Sequence, residues 1–148
     1  INTVSLMRAA AGVSYVISIL SIASFILYIR FMQWPGRHGQ FNVLTNLPMF
    51  DPTSGGDVVE RLSRGARINV IFGFLLPFII PACVKSSGMF IDPLNFENPQ
   101  TIVWLMSLWA FLPASLYMRG IAMGRLVQLV EAKRRQRYAE AHEEGLYA

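Results

Sequence analysis

All 22 acidic and basic side chains of this 148-residue chain fall outside three long stretches. Residues 9–29, 68–84 and 98–118 hold no Asp, Glu, Lys or Arg, giving uncharged runs of 21, 17 and 21 residues. An ionised side chain at the bilayer centre costs at least ~3 kcal/mol. A helix needs roughly 17–25 mostly apolar residues to cross the hydrocarbon core. Three such runs in so short a chain predict an all-α integral membrane protein: three transmembrane helices with a cytoplasmic C-terminal helix extension. The 15% of charged residues, against about 25% in soluble domains, exclude a soluble globular domain. The 53% of hydrophobic residues exclude a disordered chain. The one cysteine, Cys83, excludes a disulfide framework and a multi-thiolate zinc site.

The expected organisation is a first transmembrane helix within 1–34, a connection over 35–67 containing a short pre-membrane helix, and a second crossing over 68–84. An outer loop follows over 85–98, then a third crossing over 99–119 and a basic amphipathic tail helix over 120–148. Tyr28, Phe31 and Trp34 mark an interface edge of the first helix, and Pro35-Gly36 stops it. Its apolar run is long for the hydrophobic part of a signal peptide, and no A-x-A-like cleavage site follows it. Residues 39–50 are uncharged but too short to cross, and their Phe, Leu and Met residues suit the headgroup level or a partner surface. Asp57 with Glu60 has the spacing of a capping box, and Glu60 with Arg64 that of an i,i+4 ion pair. Asn98 followed by Pro99 is a helix start signal. Pro77, Pro81 and Pro113 each remove a backbone donor inside a crossing. They predict bends, and freed carbonyls that must find donors on neighbouring helices.

Orientation follows from the cations. The first connection holds Arg30, Arg37, Arg61, Arg64 and Arg67, and the tail holds Arg119, Arg125, Lys133, Arg134, Arg135 and Arg137. Three crossings place both on one side, which collects 11 of the 13 Lys and Arg residues. That side is expected to be the cytoplasm and the membrane the bacterial inner membrane, with the N-terminus outside and the C-terminus inside. The net charge of +4 thus reads as topology, and no nucleic acid is expected as a partner.

Catalytic signatures are missing from the sequence: no H-E-x-x-H, G-x-S-x-G, phosphate-binding loop or C-x-x-C. The acids Asp51, Asp57, Asp92 and Glu97 lie in connections, where turn and loop roles account for them, although Asp92 and Glu97 share one loop. Cys83 has no activating base near it in sequence. His38, in a Gly-rich turn, fits a headgroup contact better than a cofactor ligand. The expectation is a non-enzymatic chain with no metal and no cofactor. A bound phospholipid or quinone remains compatible, since either needs only a pocket and a few polar groups.

Two features suit contacts instead. Ala10, Ser14, Ser18, Ser21 and Ser24 are read as a small-residue stripe on the first helix, the kind of surface that lets helix backbones approach; lining a pore is the sharper alternative. Leu126, Val127 and Val130 form an apolar patch beside the basic cluster Lys133, Arg134, Arg135 and Arg137, a pattern suited to docking a protein or anionic lipid headgroups. The partners expected are other membrane protein subunits and anionic lipid, in an oligomer or hetero-complex. The functional expectation is a scaffolding subunit of a larger membrane assembly for secretion, conjugation or transport. The alternatives are a homo-oligomeric channel lined by the first helix, or an accessory subunit of a respiratory or photosynthetic complex.

Overall fold

A computed structural model describes residues 2–34, 56–87 and 98–147. They form three helices: α1 (Thr3–Met32), α2 (Gly56–Ser87) and α3 (Pro99–Tyr147). At 1.5 Å per residue these run about 45, 48 and 73 Å. Each is long and apolar enough to cross a membrane, and no strand occurs among the described residues. The fold is all-α. The segment 39–50, His38, Asp92, Glu97 and the side chain of Asp57 lie outside the described residues.

Local chemistry sets the helix ends. At the start of α1 the backbone N–H groups of Ser5 and Leu6 donate to the Asn2 carbonyl at 2.9 and 3.1 Å. The Ser5 hydroxyl donates to the same oxygen at 2.7 Å. The helix ends at Gln33, which takes the left-handed conformation (φ 49°). This lies two residues before Pro35, whose ring disfavours helical backbone at the residue preceding it. α3 starts as its sequence predicts: the Asn98 side-chain oxygen accepts the Gln100 N–H at 3.0 Å, with Pro99 in the first helical position.

α2 differs from expectation at its beginning. The pre-membrane helix and the second crossing are one continuous helix from Gly56, so the crossing is not confined to the 17 residues that lack charge. Asp57 therefore lies in the first turn rather than just before it. Glu60 and Arg64 do pair, at 3.1 Å, with both side chains 70% exposed. At that exposure the pair contributes only ~0.3–0.5 kcal/mol. α2 and α3 run through Pro77, Pro81 and Pro113 without a break in helix.

α3 is the spine. It packs along both α1 and α2, which make no comparable contact with each other. The register of α2 against α3 is antiparallel: Pro77 meets Trp109, Gly73 meets Pro113, and Gly65 meets Met123. Among the described residues, Ile102, Ala110, Ala114 and Val130 of α3 are buried, with Ile29 of α1. The outward faces are strongly apolar, with Trp104 70% and Phe78 66% exposed. In water such a surface would drive aggregation; in a bilayer it is the face that hydrocarbon solvates.

Candidate functional site

The contact between α2 and α3 is built from absent side chains. A Cβ on Gly120 would lie 2.7 Å from Val70 Cγ2 and 3.0 Å from the Ala66 carbonyl oxygen. One on Gly73 would lie 3.2 Å from the Pro113 carbonyl, and one on Gly65 3.3 Å from Met123 Sδ. In hydrocarbon no hydrophobic gain drives helices together, so close backbone approach and van der Waals contact supply the association. Asn69 adds a polar element at this seam. Its amide donates to the Gly65 carbonyl at 2.7 Å and approaches Met123 Sδ at 3.7 Å.

Trp109 joins all three helices. Its indole N–H donates to the Pro77 carbonyl of α2 at 3.0 Å, and its ring stacks on Tyr15 of α1, centroids 6.5 Å apart at 28°. The acceptor is chemically specific. In an unbroken helix the Pro77 carbonyl would take the N–H of residue 81, but residue 81 is proline and has none. The donor that the sequence requires for this carbonyl thus comes from the chain's own third helix. Beside Trp109, the hydroxyls of Ser14 and Ser107 lie 3.5 Å apart across the α1–α3 contact.

The small-residue stripe of α1 divides. Ser18 is buried at 8% exposure, and Ala10 and Ser14 are half-buried against the rest of the chain. Ser21 and Ser24 are exposed, and the Ser21 hydroxyl donates to the Ile17 carbonyl of its own helix at 2.9 Å. Helical geometry explains the division. At ~100° per residue, Ser24 lies about 120° round from Ser18, whereas Ile22, Phe25 and Ile29 stay within about 40° of it. Those three are the positions that continue the buried or half-buried face.

On the basic side, the register of α2 with α3 continues past the charge-free runs. The Ala66–Gly120 contact sets Arg67 and Arg119 at one level, both exposed. Beyond it, Val58, Val59 and Leu62 of α2 are half-buried, as are Leu126 and Val127 of α3, and Val130 is fully buried. The apolar docking patch is therefore already covered within this chain at Val130. Of the basic cluster, Lys133 and Arg135 are exposed and Arg134 is half-buried; Arg137 lies in the helix but its side chain is outside the described set. Arg125 donates to Gln128 Oε1 at 3.1 Å.

Among the described residues no three His, Cys, Asp or Glu side chains converge as a metal site. An open cleft at the start of α3 is lined by Asn98, Gln100, Thr101, Trp104, Leu105 and Leu108; its lining runs from polar to apolar along the helix. Sequence reasoning missed Trp109 as the junction and the glycines as the seam. The signals were present in part, since Pro81 orphans a carbonyl four residues earlier and Gly73 interrupts an otherwise apolar run, whereas Gly65 and Gly120 stand beside arginines.

By length and composition the described helices make this chain an integral membrane protein. Comparison with protein families, curated proteins and solved structures finds no match to it.

Proposed function

We propose that this chain is a non-enzymatic, scaffolding subunit of a larger membrane assembly for secretion, conjugation or transport. One observation carries the reading. α3 is at once the central membrane helix and the arm that leaves it, 49 residues without a break. A single rigid element thereby ties the intramembrane contacts to whatever meets the arm. The exposed Ser21 and Ser24, three residues apart and so about 60° apart round the helix, leave a small-residue surface on α1 suited to a neighbouring helix. We place the basic side in the cytoplasm of a bacterial inner membrane, N-terminus outside, from the excess of Arg and Lys. Bound phospholipid or quinone is compatible with the open cleft at Asn98–Leu108, without giving the chain a reaction to perform.

A homo-oligomeric channel lined by α1 is the second reading. It is weakened by Ser14 and Ser18 turning onto α3, which leaves two of the four serines to face a pore. An accessory place in a respiratory or photosynthetic complex belongs to the same structural class and is separated by the identity of the neighbours.

The test is purification of the full chain in mild detergent. Unlike membrane chains are expected to co-purify, and Ser24→Phe is expected to lower their yield several-fold without changing the chain's own thermal stability. Ser18→Phe should instead destabilise the chain itself by about 1–3 kcal/mol, because the phenyl ring must enter the α1–α3 contact. A symmetric ring of this chain alone would favour the channel. An unassembled monomer, unaffected by Ser24→Phe, would reject both readings.

A further inference from the structure

We infer that a water molecule sits inside the α2–α3 seam and donates one hydrogen bond to each of two backbone carbonyls, those of Gly73 and Trp109. The prolines create the demand. Pro77 has no N–H for the Gly73 carbonyl, and Pro113 has none for the Trp109 carbonyl. Helix runs on through both prolines, so the neighbouring N–H groups stay with their own carbonyls. Both positions lie inside the charge-free runs 68–84 and 98–118. In hydrocarbon a carbonyl that loses its helical partner has no bulk water to turn to.

The register brings the two carbonyls together. A helical carbonyl points along the axis toward the residue four further on. The Gly73 carbonyl thus points toward the level of Pro77, and the Trp109 carbonyl toward that of Pro113. The two helices are antiparallel. A Cβ on Gly73 would lie 3.2 Å from the Pro113 carbonyl oxygen, and Trp109 Nε1 lies 3.0 Å from the Pro77 carbonyl oxygen. Both orphaned oxygens therefore enter the same layer from opposite sides, a layer about 6 Å thick at 1.5 Å per residue. The four residues that bound it stand on the seam: Gly73 and Pro113 are buried, Pro77 and Trp109 half-buried.

The chain's own donors in reach are committed elsewhere. Residues 73–77 and 109–113 carry one side-chain donor, the Trp109 indole, and it serves the Pro77 carbonyl. Ser115 donates to the Leu112 carbonyl at 2.8 Å, and Asn69 to that of Gly65 at 2.7 Å. The hydroxyls of Ser14 and Ser107 meet on the α1–α3 contact, and α1 makes no comparable contact with α2. Tyr117 approaches Gly73 by the edge of its ring, through Cδ2. Size and charge then select the donor. A side chain from a neighbouring protein must pass Gly73 and Pro113, both buried. A cation finds no carboxylate in residues 73–77 or 109–113. Water has two O–H groups for the two acceptors, and satisfying such buried polar groups is its usual role inside proteins.

The experiment is solid-state NMR of the full chain in liposomes, with magnetisation transferred from water protons to single carbonyls. The dipeptides Gly73-Phe74, Trp109-Ala110 and Phe72-Gly73 each occur once in the sequence. Labelling the first residue with ¹³C at the carbonyl and the second with ¹⁵N therefore isolates each carbonyl in its own sample. Phe72 is the control, since its helical partner Leu76 keeps its N–H. Transfer to the Gly73 and Trp109 carbonyls is expected to be several-fold faster than to Phe72. Pro113→Ala returns an N–H to the Trp109 carbonyl and is expected to slow transfer to both, because the water loses one of its two acceptors. Tyr117→Phe is expected to change neither. Transfer to Gly73 and Trp109 no faster than to Phe72 would overturn the inference. A Gly73 rate untouched by Pro113→Ala would overturn it too, by showing separate donors. Loss of both signals in Tyr117→Phe would reject water in favour of the phenol.

Discussion

Gly120→Leu is expected to be among the most damaging single substitutions in the membrane region, destabilising the folded chain by about 3 kcal/mol or more. The first carbon of any side chain there would meet Val70 Cγ2 at 2.7 Å and the Ala66 carbonyl at 3.0 Å. The latter is backbone and cannot turn aside, so α2 and α3 must separate. Gly120→Ala sets two effects against each other. Alanine gains about 1 kcal/mol of helix propensity over glycine, while overpacking costs about 1–3 kcal/mol; the clash with backbone makes the net effect destabilising. Gly124 provides the control, since nothing lies within 4 Å of a Cβ built there. Gly124→Ala should therefore be neutral or stabilising. Reversible unfolding in mixed micelles measures all three. A stability ranking with Gly120→Leu no worse than Gly124→Ala would show that the α2–α3 seam is not close-packed at Gly120.

The second large effect concerns Trp109. Trp109→Phe keeps an aromatic ring beside Tyr15 but removes the donor to the Pro77 carbonyl. A carbonyl left unsatisfied in hydrocarbon costs about 1–3 kcal/mol. The source of the orphan supplies a rescue. Pro81→Ala restores the N–H that an uninterrupted helix would offer to that carbonyl, so the cost of Trp109→Phe should fall in the Pro81→Ala background. A double-mutant cycle with unfolding as readout is expected to give a coupling of about 1–2 kcal/mol. Additivity within ~0.3 kcal/mol would mean that the indole contact does not replace the missing backbone bond.

What the sequence made legible was governed by one-dimensional physics. Charge gaps located all three helices, because the hydrocarbon penalises ions whatever the tertiary arrangement. Asn98-Pro99 located the start of α3, because capping is local. The freed carbonyls of the proline segments were legible as a demand for outside donors, though not as a demand that Trp109, 32 residues from Pro77, would meet in one case. Which helix would be central was not legible. That depends on how faces match in space, and Gly73 and Gly120 read along the chain only as weak helix formers. That the Ser14–Ser24 stripe divides between two faces was not legible without the helix geometry: steps of three residues fall short of a full turn, so Ser21 and Ser24 rotate away from the face that Ser14 and Ser18 share. The burial of Val130 within the chain was not legible either, because α2 begins as early as Gly56 and the charged run 60–67 disguises that extension.

The most direct test of α3 as the spine beside α1 is cross-linking in native membranes of Ser14→Cys with Ser107→Cys, in a Cys83→Ser background. The two hydroxyls they replace lie 3.5 Å apart, within reach of a disulfide. The expected result is efficient oxidation within one chain, seen as a faster-migrating monomer that reverts on reduction. A product formed only between two chains, or no product while each cysteine alone still reacts with a thiol reagent, would contradict it.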